Sequence, residues 1–411
     1  MKKFSYFVTE EKNTHMTHIE DLVLDGGVKG TRQAINALQS LRDMLTGSSK
    51  KKTDVTVKWD GAPAVFAGTD PSDGKFFVAK KGIFNKTPKV YKNHKEIEAD
   101  TSGDLADKLK LAFDELQKCQ IKGVIQGDIM FTKDDLKSDS IDGTKYWIFH
   151  PNTIAYAVEQ NSAVGKKIRA ARIGIVFHTT YSGKDFESMS ASYGFDVSSL
   201  KAPNTLWAVS ANLPIQDLSG TVTMTKAETE LVNAQLSKAG SLFKQIPSSF
   251  FDTLRDNSKL NMMVNAFNNT FYRNKVSQPA PAKKVTDLIN YIKGKQNTEV
   301  NKVSSVVAKE RKTAEFTEIM KLIDAKTMAN VFELQNLIAD AKSIIINKLN
   351  NLNMTKTFVK TSNGYKSTKA EGFVAIDTIG GGAVKLVDRM EFSTNNFDPD
   401  IIKGWQSATR R

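Results

Sequence analysis

From Thr225 to about Leu352 the apolar residues recur every three or four positions, and on both sides of that block the spacing shortens to two or collapses into short apolar runs. A switch of this kind constrains the fold strongly. A helix buries a stripe of period 3.6, whereas a strand buries alternate residues. Within the block, Val331, Leu334, Ile338, Ala341, Ile345, Leu349 and Leu352 fall on one helical face. Thr225 and Glu228 have the spacing of a capping box, and Ser277 to Ala282, with Pro279 and Pro281, reads as a linker between helices.

Before the block, residues 30–46 read as a helix with Ala34, Leu38, Leu41 and Leu45 on one side and Gly47 as its stop. A polar turn through Lys52 leads to strands over 53–58, 64–67 and 76–79, the last two separated by the turn Pro71-Ser72-Asp73-Gly74. Residues 104–118 repeat the helical pattern, and 123–131, 146–149 and 173–179 read as buried strands. After the block, strand character returns at 358–360, 373–376 and 384–387, with Gly380-Gly381-Gly382 turning the chain between the last two. A phosphate-binding glycine loop should open a helix; this one leads into a strand, so it reads as a hairpin.

Length and charge narrow the class. A chain of 411 residues has room for about two or three domains with cores of their own. The formal charge of +13 suggests a polyanionic partner, since neutralising phosphates releases counterions; a lysine-rich surface that only confers solubility is the alternative. One cysteine, Cys119, rules out an intrachain disulfide and fits a reducing compartment. It lies on an amphipathic stretch and is expected at the core or its boundary. Met1-Lys2-Lys3 is followed by Glu10, Glu11, Lys12 and Asn13 with no apolar stretch, which argues against a signal peptide. No run approaches the ~18 apolar residues of a membrane span. A cytoplasmic protein is expected.

The chemistry centres on Lys58-Trp59-Asp60-Gly61. A lysine is a nucleophile only when deprotonated, which burial and nearby cations favour. Three islands follow it in order: Gly127-Asp128, Glu371-Gly372-Phe373-Val374, and Lys385-Leu386-Val387, each in an apolar run. Asp128 and Glu371 are carboxylates beside apolar strands, a costly position unless paired or bound to metal. Lys80-Lys81-Gly82 is a basic segment that is also readable as an ordinary hairpin end, and Phe177 lies on the strand 173–179 as either a core side chain or a stacking surface. His150 and His178 read as strand-end or core histidines, and they share no zinc-ligand spacing with Cys119.

This ordered set resembles the covalent nucleotidyltransferase superfamily of ATP-dependent DNA ligases, RNA ligases and mRNA capping enzymes, and is nearest to a phage-type polynucleotide ligase. The resemblance covers roughly residues 53–200 and 358–390. It implies an α+β fold of antiparallel sheets flanked by helices, with residues 1–204 and 356–411 forming one nucleotidyltransferase domain and 205–355 an all-α insertion. It implies ATP and Mg²⁺ as cofactors, Lys58 as the residue that accepts AMP, and Lys385 on the α-phosphate. Asp60, Gly61, Lys80, Lys81, Asp128, Phe177 and Glu371 would line the nucleotide, with Asp128 and Glu371 holding the metal. RNA or DNA ends or nicks would be the partner. Three features depart from the pattern. Pro63 stands where DNA ligases often have arginine, Val387 stands where many ligases have a second lysine (Arg389 is the candidate substitute), and too few residues follow Lys385 for a C-terminal OB domain. The basic helical insertion, with Arg255, Arg273 and Arg311, is then a candidate nucleic-acid clamp. Two other readings stand beside the ligase: a GTP-dependent capping-type enzyme, and a non-catalytic nucleic-acid-binding protein on a decayed ligase fold.

Overall fold

The computed structural model describes residues 17–47, 54–211, 223–352, 356–376 and 383–404. The polar turn after Gly47 and the expected triglycine hairpin at 380–382 lie outside the described residues.

Alternating and 3.6-period stretches become strands and helices where expected. The chain runs through α1 (Leu22–Asp25), α2 (Gly27–Leu45), β1 (Asp54–Val57), β2 (Ala64–Thr69), β3 (Phe76–Ala79), α3 (His94–Asp100) and α4 (Gly103–Leu116). There follow β4 (Val124–Thr132), β5 (Lys137–Ile141), β6 (Thr144–Phe149), β7 (Ile154–Glu159), α5 (Ala163–Ala170), β8 (Ile173–Ser182), β9 (Ser190–Tyr193) and β10 (Leu206–Ser210). The helical block comprises α6 (Lys226–Phe243), α7 (Ser248–Asp256), α8 (Ser258–Arg273), α9 (Pro281–Asn301), α10 (Val306–Lys321) and α11 (Ala325–Leu349). Last come β11 (Lys356–Thr361), β12 (Gly364–Ser367), β13 (Phe373–Ile376), β14 (Ala383–Leu386), α12 (Arg389–Phe397) and β15 (Ile401–Ile402). The Thr225 hydroxyl and the Glu228 carboxylate cap α6 reciprocally.

Among the described residues the strands form three sheets: a small one ordered β1-β13-β14, a second ordered β10-β8-β4-β2-β3 with β9 on β8, and a third ordered β12-β11-β7-β6-β5 with β15 on β11. Pairings between these strands are antiparallel except β8 with β10, and the isolated bridge between His18 and Lys385 is also parallel. The architecture is therefore mixed α+β. Late strands return to early ones twice, β13 onto β1 and β11 onto β7.

Alternation divides the second sheet into two faces. Val65, Ala67, Ile125, Ile129, Ile175 and Phe177 pack under Leu109, Ala112 and Leu116 of α4. The other face meets the third sheet through Val176, Phe131, Phe149, Tyr156 and Trp207. A separate core joins α2 (Leu38, Leu41), the helical block (Val331, Ile338, Ile345) and the small sheet (Val55, Phe373, Leu386). This corrects the expected division of the chain in two respects. β10 lies beyond residue 204 yet belongs to the second sheet, and the helical stretch shares its core with the small sheet rather than standing apart from it.

Candidate active site

The small sheet brings the first and last islands together. Val57 pairs with Phe373 and Thr56 with Val374, and the Lys58 N–H donates to the Gly372 carbonyl at 2.9 Å. On the other side of β13, Val374 pairs with Lys385. Period-two alternation then sorts the side chains. Val55, Phe373, Ala375 and Leu386 enter the helical core, while Thr56, Val374 and Lys385 belong to the opposite face, which Lys58 continues. Gly372 has φ +153°, and a Cβ there would lie 2.6 Å from the Leu386 carbonyl oxygen, so the close passage of this strand requires glycine.

In this arrangement Lys58 Nζ is ion-paired with Glu371 Oε1. Burial acts to lower Lys58, but Glu371, with Asp60 and Asp128 behind it, outweighs burial and holds the ammonium above its ordinary value. Burial pushes Glu371 up to about 7, against the pull of Lys58. Its carboxylate is 7% exposed, and its second oxygen, Oε2, is buried without a hydrogen-bond partner. Lys385 is lowered by burial and then by the Lys58 charge, with Arg389 and Lys81 adding to the effect and Glu371 opposing it. The charges of Lys58, Glu371 and Lys81 thus all reach Lys385.

The remaining residues of the first motif position the loop. Asp60 is almost fully engaged: one oxygen accepts from the Thr153 and Ile154 backbone N–H groups at 2.7 and 2.9 Å, and the other accepts from Asn152 Nδ2 at 2.8 Å. Its own N–H donates to the Tyr156 hydroxyl at 2.7 Å. Asp60 therefore clamps the loop to the start of β7. Gly61 allows contact with β4, because a Cβ would meet Asp128 Cβ at 2.5 Å and Met130 Sδ at 2.7 Å. That close approach, more than a tight turn, is the reason for glycine here, and it sets Asp128 beside the motif.

Over residues 13–400 the sequence matches a family model described as a family of unknown function, DUF6267. The chain belongs to DUF6267. No curated protein and no solved structure matches it.

Several expected site residues of this DUF6267 chain lie elsewhere. Phe177 is 1% exposed and packs edge-on against Phe195, on the sheet face covered by α4, so here it is a core side chain and not a stacking surface. Lys80 turns to Asp100 at 3.1 Å, whereas Lys81 is exposed and its charge reaches Lys385. Arg389 does not substitute for the missing second lysine. It is buried in a chelate with Asp21 at 2.9 Å, bonded to Asn269 at 2.6 Å and stacked over Tyr272. Cys119 is a core residue whose thiol burial pushes up to about 11. His150 closes a strand end on the Thr153 carbonyl.

Sequence reasoning read His178 as a strand-end or core histidine and missed Asn350. His178 faces Asp128, with Nε2 3.6 Å from Oδ2. Asn350, just past α11, lines a cleft with Asp60, Glu371, Lys369, Glu391 and Asn395. Both of its amide atoms are buried without partners, and no local pattern marks such a residue.

Among the described residues no group of three or more histidine, cysteine or carboxylate side chains forms a metal cage. Two carboxylates suffice for Mg²⁺, which keeps waters and takes its remaining ligands from substrate phosphates. Asp128, partly exposed, and Glu371, with its unpartnered oxygen, fit that mode. No helix among the described residues is long and apolar enough to cross a membrane.

Proposed function

We propose that this chain is an ATP-dependent polynucleotide ligase, with RNA favoured over DNA, that acts through a lysyl-AMP at Lys58. The supporting observation is the meeting of Lys58, Glu371 and Lys385, drawn from distant parts of the sequence onto one face and edge of a small sheet, with Lys58 paired to Glu371. A structural sheet gains nothing from burying a lysine against a carboxylate with an idle oxygen, because desolvating the pair costs as much as it returns.

The Lys58 amine would attack the α-phosphorus of ATP. A P–N bond forms, the P–O bond to pyrophosphate breaks, and the ammonium proton must first leave. Glu371, already in contact and raised to about 7, is the acceptor at hand. Lys385 offsets charge on the phosphate as pyrophosphate departs. Asp60 fixes the loop, and Gly61 keeps it against β4. AMP then passes to a 5′-phosphate end and is displaced by a 3′-hydroxyl. Mg²⁺, held through Asp128 and Glu371, would neutralise triphosphate charge when bound.

The formal charge of +13 supports a polyanionic strand as partner. Within the helical block Arg255 is matched by Asp252 and Asp256, which leaves Arg273 and Arg311 as exposed candidates for strand contacts. The test is joining of 5′-phosphorylated RNA and DNA strands with ATP and Mg²⁺. Joined product supports the ligase. Covalent labelling by GTP instead of ATP replaces it with the capping-type reading, and strand binding without any covalent nucleotide replaces it with the non-catalytic one.

A further inference from the structure

Lys284 lies in the first turn of α9 and is 1% exposed. Its Nζ donates to Gln278 Oε1 at 2.6 Å, and among the described residues no carboxylate pairs with it. An ammonium has three N–H groups to satisfy, so a charged Lys284 would hold two of them away from any acceptor. The amine sits 4.1 Å from the ring centre of Phe332 on α11 and 5.8 Å from that of Phe271 on α8. Ring faces attract a cation, whereas the first turn of a helix repels one. Asp21, just before α1, attracts the charge, and Arg389, at the start of α12, repels it. Asp21 is already chelated by Arg389. On α9 itself Lys283 and Asp287 pair with each other at 2.9 Å, and α8 contributes the Tyr272 phenol, which burial pushes up to about 12. Burial outweighs the pull of Asp21 and brings Lys284 from 10.5 down to about 7.

What this amine holds is the linker between α8 and α9. Residues 274–277 are exposed, and the half-buried Gln278 fastens them to the core. Its Oε1 accepts from Lys284, and its Nε2 donates to the Tyr272 hydroxyl at 2.8 Å. We infer that Lys284 is a pH-dependent latch: uncharged, it keeps Gln278 and the linker in place, and on taking up a proton it lets the linker open so that the ammonium reaches water. The closed form binds the proton more weakly than the open one. Each unit of pH lost between 10.5 and about 7 therefore favours opening about tenfold, and the effect levels off below about 7. Arg273, one of the exposed candidates for strand contacts, ends α8 where the linker begins. The latch itself is independent of the nucleotidyltransferase reading.

Hydrogen exchange of peptides spanning residues 274–285 tests this, corrected for the intrinsic pH dependence of exchange and measured at about pH 7 and about pH 9. The chains compared are wild type, Lys284→Met, Lys284→Gln and Gln278→Ala. Wild-type protection should be about tenfold or more lower at the lower pH. Lys284→Met and Lys284→Gln lack the titrating amine, and either one, once folded, should show equal protection at both. Gln278→Ala should lose protection of the linker at both pH values while peptides from residues 286–300 keep theirs. Equal wild-type protection at the two pH values would overturn the inference. So would a pH difference that survives in a folded Lys284 variant, or a linker that stays protected in Gln278→Ala.

Discussion

Gly61 has no room for a side chain, since a Cβ would collide with Asp128 and Met130. Gly61→Ala should therefore push the loop off β4 and destabilise the fold by about 1–3 kcal/mol, the usual cost of overpacking, read as a lower urea midpoint. Lys58 offers a second test. Glu371 is what lifts it above its ordinary value, against burial, which acts to lower it. In Glu371→Gln the Lys58 amine should lose its proton at lower pH than in wild type. Peptide-mapped acylation of Lys58 as a function of pH measures this, and an unmoved midpoint would show that the pair does not control the amine. At this scale the sequence was informative about Lys58, Glu371 and Lys385, because motif order and strand pattern survive without coordinates. It was silent on which of Phe177 and His178 faces the site. Pairing decides that: Asp128 is opposite Val176, so alternation along β8 puts His178 on the Asp128 face and Phe177 with Ile175 under α4, and pairing between strands cannot be read from one strand's sequence.

The loop from Lys58 to Pro63 is pinned to β4 by backbone bonds with Ile129 and to the start of β7 by the Asp60 carboxylate. Asp60→Ala would leave the Thr153 and Ile154 N–H groups buried without their acceptor. The expected loss is about 3 kcal/mol, measured by equilibrium unfolding, together with weaker nucleotide labelling. The strand edge beyond β14 gives a pH prediction. His18 forms a parallel bridge with Lys385 and is lowered from 6.5 to about 3, first by burial, with Glu20 opposing and Arg389, Lys342 and Lys385 adding. Its folded value lies below the unfolded one, so the unfolded chain takes up the proton first as pH falls. Stability is therefore lost between pH 6.5 and about 3. His18→Phe should flatten that part of the profile, and an unchanged difference between urea midpoints at neutral and acid pH would contradict the assignment. Helices and strands with clear periodicity were legible from the sequence. The contribution of Thr17 to Ile19 to a sheet edge was not, because a bridge of so few residues has no periodicity to read.

Across the whole molecule the helical block and the site form one body of packing. Lys342 of α11, itself buried, donates to Glu20 at 2.8 Å and to the Val387 carbonyl at 3.0 Å, tying the block to the segment that follows the site strand. Lys342→Met would leave buried Glu20 with Arg389, 3.6 Å away, as its remaining cation, which should cost about 3 kcal/mol while unfolding stays a single transition. Two resolved transitions would mean that the block folds independently of the site. The sequence could mark the block as helical but not as inseparable, since a shared core is visible only once α2, β1, β13 and β14 are seen against the same helices.

The central claim is that Lys58 is a nucleophile. Intact-mass measurement of protein stripped with pyrophosphate and then incubated with ATP and Mg²⁺ tests it most directly. A gain of one AMP on wild type, absent from Lys58→Ala, is the predicted result. An adduct that persists in Lys58→Ala, or none on wild type, would contradict it.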